Sequence, residues 1–150
     1  MTEAPAPIEL APSHRRTPRR KLHVIRGGAR WAHLAFSLAI VLGVFVQVYL
    51  IGAYIFGAGQ GALDAHRTTG FALQGRELFV LLTALIAWLP RIDLLLSFLV
   101  AIVGFIQAGL ASAHQWIGGL HPLLALVLLS LAATLALRGL PRHRRPAHRH

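Results

Sequence analysis

Four stretches of this chain are too long and too apolar to be core elements of a soluble domain. They cover residues 31–56, 67–89, 92–113 and 120–138, and the charged residues gather almost entirely between or beyond them. A bilayer core takes ~20 helical residues to cross, so each stretch is long enough to span it. Within lipid a single segment satisfies its own backbone only as a helix, and strands of this length do not stand alone. The sequence therefore predicts an all-α fold: an integral membrane four-helix bundle over about residues 31–140. With 55% hydrophobic and 13% charged residues, the composition agrees with the blocks.

The breaks between blocks are Gly- and Pro-rich: "GAGQG" after the first, Pro90 after the second, and "GGL" before His121 and Pro122. A Pro in a first helical turn loses no intrahelical hydrogen bond, which suits Pro122. Residues 1–30 are rich in Pro, Ala and Arg and predict a disordered basic tail. Residues 141–150 predict a second basic tail. The His residues of that tail could hold a metal, but a solvated end is the simpler reading. "RRTPRRKLHVIRGGAR" looks like the n-region of a signal peptide. The run after it is too long and lacks a small-x-small cleavage site, so it reads as an uncleaved first span.

A formal charge of +10 raises nucleic acid as a partner. The basic residues lie beside membrane segments, where they set topology and contact anionic lipids, so nucleic acid is set aside. Seven Lys/Arg precede Trp31, five follow Leu137, and Arg91 lies between the second and third spans. Four spans put all of these on one side, leaving Arg67 on the other. Positive residues favour the cytoplasm, so both termini are expected inside a cell membrane. There is no Cys, which removes disulfides, thiolate metal sites, iron–sulfur clusters and thioether-linked haem.

The two halves of the bundle repeat a polar pattern. "VQVYLIGAY" leads to "AHRTTGFAL", and "IQAGLASAH" leads to "GLHPLLALV". Each leading helix carries a Gln in its outer half, Gln47 or Gln107. Each returning helix opens on a His, His66 or His121, with a small residue four positions on, Gly70 or Ala125. This predicts a pseudo-twofold repeat about an axis along the membrane normal. The axis would set His66 across from His121. Two neutral imidazoles can hold a haem iron from both sides, and Gly70 and Ala125 would leave a flat surface for the macrocycle. Arg67 would meet a propionate, and His114 is an alternative ligand or propionate contact. The simpler reading is that these are interfacial histidines in short loops. Zinc fits less well, because no acid or Cys lies at suitable spacing. His33, at the opposite end of the first span, reads as an interfacial residue without a role.

"HRTTGFAL" and "LHPLLALVLL", with "VQVYL" and "IQAGL" on the preceding helices, resemble one four-helix half of the haem A synthase type. They also resemble small uncharacterised bacterial membrane proteins built on the same plan. The resemblance covers about residues 31–140 and implies His66 and His121 as ligands of haem b. The synthase has two such halves and places a Glu a few residues before the His of its "HR" pair. Here there is one half, and the nearby acid is Asp64. The scaffold and haem binding are therefore what the resemblance implies, and the synthase activity is not carried over.

Arg76 and Glu77 lie ~15 Å of helix beyond His66. Intramembrane charges usually face the interior and pair. A mid-membrane polar cluster of Gln47, Arg76, Glu77 and Gln107 is expected, either as a lock between helices or as a proton path. The function this suggests is bis-His haem electron transfer, with a quinone or redox protein as partner. The alternatives are a non-haem accessory subunit of a larger membrane complex, or a small transporter that would need to oligomerise.

Overall fold

The computed structural model describes residues 18–111 and 115–141. They form α1 (Pro18–Ile55), α2 (Gln60–Ala87), α3 (Arg91–Leu110), the single turn α4 (Gln115–Gly118) and α5 (Leu120–Gly139). α1, α2, α3 and the α4–α5 stretch are each long and apolar enough to cross a membrane.

The first two reversals have local causes. At the end of α1, Gly57 (φ 92°) and Gly59 (φ 81°) take left-handed conformations that suit glycine. The Ala58 N–H returns to the Ala53 carbonyl at 2.9 Å, closing the helix end. α2 ends on Trp88 at φ 52°, a left-handed residue with a side chain. Its N–H and that of Leu89 recover carbonyls of the last turn. The Arg26 guanidinium lies 5.6 Å from the centre of the Trp88 ring, so a cation covers this exposed corner. Pro90 then caps α3.

Two boundaries differ from the sequence expectation. Residues 18–30, expected in a disordered tail, continue α1 as helix. Pro18 stands at the first position, and Arg19, Arg20, Lys21 and Leu22 are good helix formers, so the helix nucleated by the apolar span propagates outward. Residues 1–17 and 142–150 lie outside the described residues. α2 begins at Gln60, so His66 lies more than a turn inside it rather than at its first turn. The two left-handed glycines complete the reversal by Gly59, and nothing after them obstructs a helix.

The four long helices pack in a ring: α1 lies against α2 and α5, and α3 lies against the same two. α2 and α5 therefore face each other diagonally. Ile40, Val44, Val80, Val100, Leu128, Ala132 and Leu135 form the core. Large apolar side chains such as Phe45, Phe71 and Phe105 point outward, as a lipid-facing bundle requires. At one end Arg138 of α5 pairs with Asp93 of α3. This is called the basic end below, and the opposite one the histidine end.

Close helix contacts place a glycine beneath a large side chain. Gly43 of α1 receives Leu73 of α2, and Gly104 of α3 receives the Glu77 carboxylate of α2. Lipid offers no hydrophobic drive between helices, so such close packing is what holds them together. A Cβ at Gly104 would overlap the Glu77 carboxylate. Gly104→Ala is expected to lower stability by about 1–3 kcal/mol, measured by unfolding in mild detergent. Adding Glu77→Ala should recover most of that loss; strictly additive effects would mean the two residues do not touch.

Candidate functional site

His66 and His121 come together across the bundle, one from each diagonal helix. Their ring centres are 6.4 Å apart and their planes are inclined at 72°. His66 Nδ1 donates to the Gln47 carbonyl at 3.1 Å. His121 Nδ1 donates to the Gln107 carbonyl at 3.2 Å. A backbone carbonyl can only accept, so each neutral ring carries its proton on Nδ1 and keeps a lone pair on Nε2. This is the arrangement of a metal-ligating histidine, whose second nitrogen is held by a backbone carbonyl or carboxylate. An imidazole centre lies ~1 Å behind its donor nitrogen and a metal–nitrogen bond is ~2 Å, so an ion in line between two rings sets their centres ~6 Å apart.

The packing around the pair is also distinctive. Among the described residues the buried apolar side chains nearest the histidine end are Val44, Leu73 and Leu128. Leu73 and Leu128 each lie seven residues from their histidine, or ~10 Å along the helix. Between that floor and the two rings the lining is half-buried: Gln47, Gly70, Gln107 and Ala125. The fully buried side chains thus lie toward the basic end, and the residues beside the two imidazoles are half-buried.

The flat surface expected at Gly70 is filled. A Cβ there would stand 2.8 Å from the Gln47 Nε2, so the amide lies over this glycine. The Oε1 atoms of Gln47 and Gln107 are buried without a hydrogen-bond donor. Each glutamine therefore fixes a histidine through its backbone carbonyl and leaves its side-chain acceptor unmatched beside the site. Arg67 forms an exposed pair with Asp64 at 3.5 Å, on the surface next to His66. His114 lies outside the described residues.

Among the described residues no hydrogen bond or ion pair joins the expected mid-membrane cluster. Arg76 donates to the Ala72 carbonyl of its own helix at 2.7 Å and reaches neither Glu77 nor a glutamine. Glu77 is 4% exposed and packs on Gly104. The reason is angular: on a helix, adjacent residues point ~100° apart, so burying Glu77 swings Arg76 toward the outer surface.

His33 carries more structure than its sequence position suggested. It is 3% exposed, its Nδ1 donates to the Val80 carbonyl at 3.1 Å, and Ser37 donates to the His33 carbonyl at 2.8 Å. The signal was present: His33, Ser37, Ile40 and Val44 recur at helical spacing on the buried stripe of α1. Compared with known protein families, curated proteins and solved structures, the chain matches none of them.

An orphaned buried acceptor costs about 1–3 kcal/mol. Gln47→Met and Gln107→Met, close in shape but without the amide, are therefore expected to hold or raise the thermal midpoint in detergent. A drop of several degrees in both would mean that the amides are partnered.

Proposed function

We propose that this chain is an integral membrane b-type haem protein, with His66 and His121 as the axial ligands, serving electron transfer. One observation carries the reading: two imidazoles on diagonal helices, 6.4 Å apart, each with Nδ1 held by a backbone carbonyl. Among the described residues no group of three or more His, Asp or Glu gathers. An ion held here therefore needs its remaining ligands from elsewhere, and a porphyrin brings its own.

The residues of the chain divide the work. The Gln47 and Gln107 carbonyls set the tautomer and leave a lone pair on each Nε2. Val44, Leu73 and Leu128 close the site toward the basic end and exclude water from that side. His66 and His121 would hold the haem, which would supply one-electron transfer. The resemblance to one half of the haem A synthase type supports the same ligands. The matched His–Gln contacts support a twofold relation between the α1–α2 and α3–α5 hairpins. A quinone or a redox protein is the class of partner this function needs.

The full-length protein, expressed with ample haem and purified in mild detergent, is expected to show haem bands that sharpen on reduction. His66→Ala and His121→Ala should each lose them, while His33→Ala keeps them. Absence of bands from the wild-type protein would overturn the reading.

The basic end, with Arg26, Arg91 and Arg138, belongs on the cytoplasmic side on charge grounds, and there the basic residues meet anionic lipid headgroups. A reporter active only in the cytoplasm should be active when fused after Arg138, and one active only outside should be silent. The reverse pattern would invert the topology.

A further inference from the structure

On a twofold relation between the hairpins, α1 matches α3 and α2 matches α5. At one constant offset, Ser37, Ile40 and Gln47 of α1 fall on Ser97, Val100 and Gln107 of α3. At another, His66, Leu73 and Val80 of α2 fall on His121, Leu128 and Leu135 of α5. The likeness extends to contacts. Ser37 donates to the His33 carbonyl at 2.8 Å and Ser97 to the Asp93 carbonyl at 2.7 Å, each one turn back. Both serines are fully buried.

At mid-bundle the likeness breaks. One half sets Glu77 of α2 against Gly104 of α3. By the same offsets, the other half has Ala132 on α5 and Val44 on α1, both in the apolar core. A large side chain meets a glycine in one half, where a small one is matched with a valine in the other. The second half shows that an apolar pair serves the packing at this level. Glu77 is therefore not needed as a filler, and Gly104 is what admits it.

Glu77 is 4% exposed and has no hydrogen bond or ion pair among the described residues. It lies ~15 Å of helix from Arg67 and from Ala87, near the middle of the span. The titratable and charged groups that face it are few. From α1 comes His33, whose ring binds the Val80 carbonyl one turn toward the basic end. From α3 and α5 come Asp93 and Arg138, paired with each other at the basic end. His66 and His121 stand together at the histidine end. Arg76 binds its own helix on the outer side.

A bare carboxylate in this position is costly, so it calls for a positive partner. A metal cation needs several oxygen ligands, and no group of three or more His, Asp or Glu gathers among the described residues. A proton needs one lone pair. We infer that Glu77 is a proton-binding site added to one half of the bundle, and that it takes up its proton when the histidine site gains an electron. Proton binding follows from the core alone; the link to an electron rests on the haem proposed above. The step balances. One electron from a redox protein reaches the histidine site, one proton from water forms an O–H bond at a Glu77 carboxylate oxygen, and both leave on reoxidation. The net charge of the interior stays constant, and in a medium of low dielectric a change in that charge is what costs most.

The test uses the full-length protein in mild detergent. Infrared difference spectra between acid and alkaline samples are expected to show a carboxylic acid C=O band that moves in D2O and is missing from Glu77→Gln. Redox titration of the haem is expected to give a midpoint that falls as pH rises. The slope is up to about 59 mV per pH unit, a tenfold change in proton activity for one electron. Glu77→Gln should keep the haem bands and lose the slope. Glu77→Ala combined with Gly104→Val copies the pair of the other half and should do the same, which serves if Glu77→Gln does not fold. Absence of the infrared band from the wild type, or its persistence in both variants, would overturn proton binding. A wild-type midpoint independent of pH, or a slope that survives in a folded variant, would overturn the link to the electron. A protein without haem bands would overturn that link together with the haem reading, while the infrared band still decides on Glu77.

Discussion

An imidazole donating to a backbone carbonyl of the adjacent helix is the contact on which this bundle turns. Among the described residues it occurs three times: His33 to Val80, His66 to Gln47, and His121 to Gln107. In lipid a helix has already used its backbone on itself, and apolar packing gives little preference for one rotation over another. A helical carbonyl keeps a second lone pair, and a ring N–H from a neighbour can use it. Such a bond fixes depth and rotation together. His33 and His66 tie α1 to α2 at two levels, and His121 ties α3 to α5.

These ties divide the bundle along its length. Toward the basic end, small residues and close contacts bring the helices together around Ile40, Val80, Val100 and Ala132, all at 0% exposure. The Gly43–Leu73 and Gly104–Glu77 contacts mark the upper limit of that packing. Above it the same ties hold two rings with their centres 6.4 Å apart.

The outer surface carries a second division. The hydroxyls of Thr83, Ser130 and Thr134 each return their proton to their own helix. Arg76 also binds a carbonyl of its own helix, that of Ala72, one turn toward the histidine end. The neighbouring Glu77 faces inward and has no hydrogen bond or ion pair among the described residues. Two adjacent ionisable residues thus serve opposite faces of one helix. One packs against Gly104 of α3, and the other binds back to its own helix.

The number of spans, their approximate limits and the ends at which charge gathers were legible in the sequence. These depend on hydropathy and on residues that break helices, and both act locally. The pairing of Gln47 with His66 and of Gln107 with His121 was legible as a repeated pattern, though not as contacts to backbone carbonyls. The helix before Trp31 was missed because Pro and Arg resemble a tail in composition, while propagation from a long apolar helix carries the chain past them. The burial of His33 was in reach through its spacing with Ile40 and Val44. The separation of Arg76 from Glu77 followed from helical rotation, but which of the two turned inward did not. Periodicity gives the angle between residues and not the side on which a neighbour stands. Only the tertiary structure decided that α2 and α5 are diagonal, that their histidines meet at 6.4 Å, and that Gly104 makes the room Glu77 occupies. Those facts depend on the rotation and register of whole helices, which are set by contacts between residues far apart in the chain.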